Sequence, residues 1–134
     1  LVLNGDSFCD FDYRNFRAFH EAKDADASLL LTYVEDCSRY GSVVLDSHGR
    51  VESFIEKSGA GGAGFINAGV YLMERTLIKE IQPGRILSLE KDIFPQWIGR
   101  KFFGHASNAP TFIDIGTPQS FQQAQSLFSW RSDS

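Results

Sequence analysis

Two aspartates stand where short apolar runs stop. Leu1-Val2-Leu3 gives way to Asn4-Gly5-Asp6, and Thr111-Phe112-Ile113 leads into Asp114, with a glycine turn at Gly116. Apolar runs bounded by turn residues predict strands, and in open α/β sheets the ligand crevice lies outside the strands' carboxyl ends. A carboxylate there is placed to hold Mg²⁺, which is bound through one or two carboxylates together with substrate phosphates. Taken alone, Asp6 reads more simply as a solvated turn residue or a helix cap. The other chemistry-bearing residues are sparser. His20 is expected on a helix surface, His48 at an exposed turn and His105 in a structural place within a strand. Cys9 and Cys37 are far apart, which suggests neither a disulfide framework nor a zinc site and fits a reducing cytoplasm.

These residues need a frame. Residues 1–3 predict a strand buried on both faces, as in the centre of a parallel sheet. Asp12 can cap a helix over residues 13–23, with Phe16, Phe19 and Ala22 on one face. Residues 27–34 predict a second buried strand, so the helix completes a right-handed β–α–β unit. Residues 41–46 and 50–56 flank Asp46-Ser47-His48-Gly49 as a hairpin. Residues 65–72 predict a strand and 74–81 a short helix that stops at Pro83-Gly84. Ser88 can cap a helix to residue 97 despite Pro95, with Glu90 and Asp92 suited to its N-terminal dipole. Residues 101–106 predict a strand. Thr117 and Pro118 open a last helix that runs to about residue 128.

Gly59 to Gly64 spell G-x-G-x-x-G literally. A dinucleotide fingerprint requires a helix directly after the glycines. A strand is predicted there instead, so the run reads as a loop, or a flap over a ligand, and a nicotinamide oxidoreductase is disfavoured.

The expected fold is α/β in three layers, around a mostly parallel but mixed sheet with a hairpin-bearing edge. With 134 residues, 43% of them hydrophobic, the chain is one domain with a real core. The domain is expected over 1–129, with a polar tail at 130–134. A net charge of −4 without a basic run offers no footprint for nucleic acid, and no apolar run approaches membrane-spanning length. The chain has no initiator Met and starts inside a predicted strand. It is therefore expected to be the C-terminal part of a larger protein, with a first-strand edge open to a missing N-terminal half or to self-association.

The order of several stretches resembles the sugar-1-phosphate nucleotidyltransferases. They are Leu-Asn-Gly-Asp-Ser at 3–7, Arg-Tyr-Gly-Ser-Val at 39–43, Phe-Ile-Glu-Lys at 54–57, Asn-Ala-Gly-Val-Tyr at 67–71, Ser-Leu-Glu-Lys-Asp-Ile-Phe-Pro at 88–95 and Phe-Ile-Asp-Ile-Gly-Thr-Pro at 112–118. Within that family the likeness is greatest to the D-glycero-D-manno-heptose 1-phosphate guanylyltransferases, then to the mannose-1-phosphate enzymes. The resemblance implies the sheet of nucleotide-diphospho-sugar transferases and a Mg²⁺-dependent reaction between a nucleoside triphosphate, GTP first, and a sugar 1-phosphate. It implies metal ligation by Asp6 and Asp114, contact of Lys57 with the sugar phosphate, and hydroxyl binding by Glu56. It also implies a close backbone approach at Gly41 and a sugar-side strand bearing Asn67 and Gly69. The family's Gly-Gly-x-Gly-Thr-Arg-Leu triphosphate loop is absent from this sequence. The resemblance thus covers the sugar- and metal-binding part without the nucleotide-binding part. A non-catalytic sugar-phosphate module is the alternative reading.

Overall fold

The computed structural model describes residues 1–55, 61–107 and 111–128. In chain order the elements are β1 (Val2–Leu3), β2 (Ser7–Cys9), α1 (Tyr13–Ala22), β3 (Ala27–Val34), β4 (Ser42–Leu45), β5 (Val51–Ile55) and β6 (Gly64–Met73). Then follow α2 (Arg75–Lys79), a π-helical turn (Leu89–Ile93), α3 (Phe94–Trp97), β7 (Phe102–Ala106), β8 (Phe112–Asp114) and α4 (Pro118–Phe128).

The main sheet runs β5-β4-β6-β3-β7, with β1 added on β6, and β2 and β8 form a small second sheet. Alternation along β3 builds the layers. Leu29 and Leu31 enter one apolar cluster with Tyr71, Phe94, Trp97 and Phe102, while Leu30 enters another with Phe16, Val70 and Leu72. The first cluster is covered by α2, the π turn and α3, and the second by α1. The result is the expected three-layer α/β arrangement around a mixed sheet.

Parallel pairing is less extensive than expected. Among the described strands only β3 and β7 run parallel, while β1–β6, β3–β6, β4–β5 and β4–β6 are antiparallel. The reason is the position of β6. Tyr71 pairs with Leu29 on one edge and Val2 on the other, so β6 lies between β1 and β3 and runs against both. The expected β–α–β pair is parallel but not adjacent.

β1 also differs from expectation. Only Val2 packs on the core, and Leu1 and Leu3 remain 59% and 57% exposed. It is therefore buried on one face and not on both, and β6 is its described partner. Between Asp6 and α1, where no element is predicted, the chain forms β2. A strand of three residues leaves too little sequence for alternation to show.

Local signals hold well elsewhere. Asp12 accepts from the Asn15 amide at 3.1 Å and caps α1, and Ser88 accepts from the Lys91 amide at 3.2 Å. Thr117 Oγ1 accepts from the Ser120 amide at 3.1 Å at the head of α4. The helix expected from Leu89 opens as a wide π turn, and its α-helical part starts only at Phe94. Pro95 therefore falls in a first turn, where its missing N–H costs nothing.

Candidate active site

A bulge in β6 organises the site. Leu29 pairs with Tyr71 but Leu31 pairs with Asn67, so β6 carries two extra residues across this step. Bulges bend a strand and re-aim its side chains. Gly69 sits in the bulge at φ +77°, a left-handed conformation that glycine adopts without strain. The Asn67 side chain turns back to close it, with Oδ1 accepting from the Gly69 amide at 2.8 Å. On the edge facing β1, the Gly69 carbonyl takes the Asn4 amide at 2.8 Å, the last rung before the chain leaves β6 for Asp6.

Space demands a glycine here as well. A Cβ at Gly69 would lie 2.9 Å from Asn4 Nδ2. Gly69→Ala is expected to destabilise by about 1–3 kcal/mol through left-handed strain plus displacement of Asn4. Gly84, at φ +81° with nothing within 4 Å of its hypothetical Cβ, isolates the backbone share. Urea melts of G69A and G84A therefore separate the two contributions, and equal losses would refute the Asn4 clash.

Asn67 connects onward. Its Nδ2 donates to the Tyr71 hydroxyl at 2.8 Å and to Glu90 Oε1 at 3.0 Å. The Tyr71 hydroxyl donates in turn to Asn4 Oδ1 at 3.5 Å. The phenol is pushed up to about 12, first by burial and then, among the charges, by Glu90 and Asp6. A proton held more tightly in the folded state stabilises below the ordinary phenol value of 10.0, and that stability drains away as pH rises toward about 12. Melting temperature should fall across this window, and Tyr71→Phe should flatten the fall. An unchanged slope would remove Tyr71 from the account.

Asp114 ends the small second sheet, and Asp6 immediately precedes its other strand. Ser7 pairs with Asp114, and the Ile115 amide donates to the Asp6 carbonyl at 2.9 Å, so Asp6 and Asp114 occupy neighbouring rungs. Asp114 is the last residue of β8, as expected, whereas Asp6 lies in the turn between β1 and β2. Asp114 Oδ1 accepts from the Gly116 amide at 2.8 Å, which fixes the carboxylate. Asp6 Oδ1 accepts from the Ser7 hydroxyl at 3.4 Å. Neither aspartate forms an ion pair among the described residues. Carboxylates without a paired cation keep oxygens free for Mg²⁺, which is bound through one or two carboxylates together with phosphate oxygens and water. No cluster of three or more potential metal ligands occurs among the described residues.

Gly41 lies close to the β5 backbone, and a Cβ there would sit 3.0 Å from the Ile55 carbonyl oxygen. Glu56 and Lys57, together with Gly59 and Ala60 of the glycine run, lie outside the described residues. After Gly61 to Ala63 the chain enters β6 directly, not a helix, so the dinucleotide reading has no support.

His20 corrects an expectation. It is 8% exposed, not a surface residue of α1. Its Nδ1 lies 2.7 Å from Ser28 Oγ and its Nε2 lies 3.0 Å from Glu74 Oε1. The trio has the residue types of a nucleophilic triad, but Ser28 is only 1% exposed and unreachable for a substrate. It is a staple tying α1 and β3 to the start of α2. Sequence spacing cannot reveal it, since His20 and Glu74 are 54 residues apart. Tyr71 and Glu90 also escaped a functional reading, and only their membership of the Asn-Ala-Gly-Val-Tyr and Ser-Leu-Glu-Lys stretches could have drawn attention to them. His48 is exposed and His105 packs against Phe16 and Phe19, both as expected.

The family model described as nucleotidyl transferase matches residues 1–129. A mannose-1-phosphate guanylyltransferase catalytic subunit beta of Dictyostelium discoideum is 34% identical over 129 residues, covering 96% of this chain and 36% of the relative. A mannose-1-phosphate guanylyltransferase of Mycobacterium tuberculosis is 36% identical over 124 residues, covering 90% of this chain and 34% of the relative. HddC from Yersinia pseudotuberculosis superposes with TM-score 0.81 at 34% identity, covering 95% of this chain and 54% of that one. A second HddC structure, complexed with GMP-PN, superposes at 0.80 with 35% identity and the same coverage. The chain thus spans about a third of the length of the curated relatives and about half of the solved chains. With the nucleotidyl transferase model matched almost end to end and the fold shared with HddC, the chain belongs to the sugar-1-phosphate nucleotidyltransferase family.

Proposed function

We propose that this chain contributes the sugar- and metal-binding part of a guanylyltransferase that acts on a mannose- or heptose-type sugar 1-phosphate. The observation that carries the reading is the placement of Asp6 and Asp114 on neighbouring rungs, inside a chain that matches the family over residues 1–129. A phosphate oxygen of the sugar 1-phosphate attacks the α-phosphorus of GTP. The new P–O bond forms as the bond to the β-phosphate breaks, and pyrophosphate leaves. Such chemistry rests on positioning and on neutralising charge. Mg²⁺, when bound, supplies that neutralisation at the phosphate oxygens. Asp6 and Asp114 would hold it, and Lys57 would contact the sugar phosphate. Glu56 would accept from sugar hydroxyls, with Gly41, Asn67 and Gly69 shaping the sugar side. Guanine is supported by the relatives named as guanylyltransferases and by the HddC complex with GMP-PN.

The product serves as an activated sugar for glycan precursors. The free cysteines fit a reducing, cytoplasmic setting, and no helix among the described residues is long and apolar enough to cross a membrane. The edge of β1 that has no partner among the described residues is where a further strand-bearing segment or a second chain would add.

Incubation with Mg²⁺, GTP and a panel of sugar 1-phosphates, read by mass spectrometry, tests the proposal. A GDP-sugar from the chain, alone or supplied with an N-terminal segment of a relative, supports it and names the sugar. The alternative reading is a non-catalytic sugar-phosphate module. Sugar-phosphate binding without product, even after supplementation, would select that alternative.

A further inference from the structure

We propose that Arg50 is a positioning residue which, by clamping the β4–β5 turn onto Phe103 of β7, holds the Gly41 end of the hairpin in place for the sugar 1-phosphate. The inference rests on the sugar role proposed above for Gly41 and adds a residue at the opposite end of the same hairpin.

The hairpin is an arm more than a member of the sheet. Among the described residues β4 meets β6 at one pair, Ser42 with Ile66, next to Gly41. Further along, Val44 pairs with Ser53 but Leu45 pairs with Val51, so Glu52 is an extra residue in β5. Such a bulge bends and twists the strand that carries it. The arm arches over the first apolar cluster, to which it contributes Val43, Leu45, Val51 and Phe54. β5 and β7 stand at opposite ends of the strand order, yet Arg50 at the head of β5 forms an antiparallel bridge to Phe103.

That landing point is built for close contact. The Gly104 amide donates to the Gly49 carbonyl at 3.0 Å. A Cβ at Gly104 would lie 2.7 Å from Leu45 Cδ2, so a glycine lets the arm come down this far. Side chains then close over the rungs. The Arg50 guanidinium lies 5.6 Å from the Phe103 ring centroid, and Lys23 Nζ lies 5.4 Å from the same centroid. Lys23 Nζ also donates to the His48 carbonyl at 3.4 Å. One buried ring thus takes two exposed cations, and neither forms an ion pair among the described residues. Within the turn, Asp46 Oδ1 accepts from the His48 amide at 2.8 Å and from the Arg50 amide at 2.9 Å, so the clamp acts on a stiff loop. The five residues of β5, about 15 Å of strand, carry it to the Ile55 carbonyl against which Gly41 packs. An arm held at one rung can pivot, and a second fixed point stops it.

Hydrogen exchange at the amides of residues 41–45 and calorimetric titration with mannose 1-phosphate and Mg²⁺ test the assignment. An exposed cation–π contact is worth a factor of about two to five in an opening equilibrium, and exchange through local opening rises by the same factor. Arg50→Ala should therefore speed exchange at 41–45 about two- to fivefold, and Phe103→Leu, which takes the ring from both cations, roughly tenfold. Affinity scales with the fraction of arms in the binding position, so it should fall in the same order, by at least about twofold in Phe103→Leu. That variant leaves the net charge unchanged, which separates positioning from simple attraction of an anion. Arg50→Lys and Phe103→Tyr keep the cation and the ring and should restore both readouts. Faster exchange confined to residues 46–50, with 41–45 and affinity unchanged, would overturn the proposal. Faster exchange across the whole sheet would also overturn it, because that marks a merely structural role. A wild-type chain that binds no mannose 1-phosphate overturns the proposed function and the substrate role of Arg50 with it, whereas wild-type binding that survives in both Arg50→Ala and Phe103→Leu overturns the clamp alone.

Discussion

Replacing Asp114 by Asn is expected to lower Mg²⁺-dependent nucleotidyl transfer by at least about 10²–10³-fold, the scale on which removal of one preorganised electrostatic contact acts. Asp6→Asn should do the same. The fold should survive both changes. The amide oxygen that Asp114→Asn introduces can still accept from the Gly116 amide, and the β2–β8 rungs are made by backbone groups. What changes is charge. Under the proposed metal role the two carboxylates present two negative charges to one cation, and each amide removes one. The double variant should lose little beyond the stronger single one, because residues that act as a unit are not additive. The measurement is product formation against Mg²⁺ concentration in the complemented enzyme, with circular dichroism as the folding control. A folded variant with an unaltered Mg²⁺ dependence would end the metal role of that residue.

The parts of this site that sequence could reveal are those with local causes. Asp12, Ser88 and Thr117 cap helices through bonds spanning three residues, so their type and position suffice. The long strand β6 announces itself by the strand-like sequence of residues 65–72, to which the structure adds one residue at each end, and the hairpin by its turn. Asp114 at a strand end was equally readable. The neighbourhood of Asp6 and Asp114 was not, because it depends on three-residue strands paired across most of the chain. The bulge at Gly69 has the same character. Nothing in Asn-Ala-Gly-Val-Tyr specifies two extra residues until β3 provides the opposing register. His20 was misplaced because one residue beside an apolar stripe can turn either way, and the choice was made by Ser28 and Glu74 from other elements. The shortfall in parallel pairing also has a long-range cause, the position of β6 between β1 and β3.

Phe94→Ala is expected to produce the largest loss of stability in the molecule, about 3–5 kcal/mol. Domains of this kind have only about 5–15 kcal/mol in hand, so the variant sits near the edge of folding. Phe94 is fully buried where the π turn passes into α3. Its ring centroid lies 5.0 Å from Tyr71, 5.5 Å from Phe102, 5.6 Å from Trp97 and 6.0 Å from Phe54. It therefore joins the helical layer to β5, β6 and β7 at one point. The consequence for function comes through Tyr71. The Phe94 ring packs on the Tyr71 ring, whose hydroxyl holds Asn67 and Asn4. A cavity there frees the phenol before it unfolds the domain. Phe94→Leu refills most of the space and should cost less, while still removing the aromatic contact. Under conditions where both variants remain folded, sugar 1-phosphate affinity should fall with the loosening of Tyr71, and its phenol should ionise below about 12 in an ultraviolet titration. If urea melts show the full loss but the Tyr71 titration is unmoved, the core and the site are independent, and the relay from Glu90 to Asn4 does not rest on the packing beneath it.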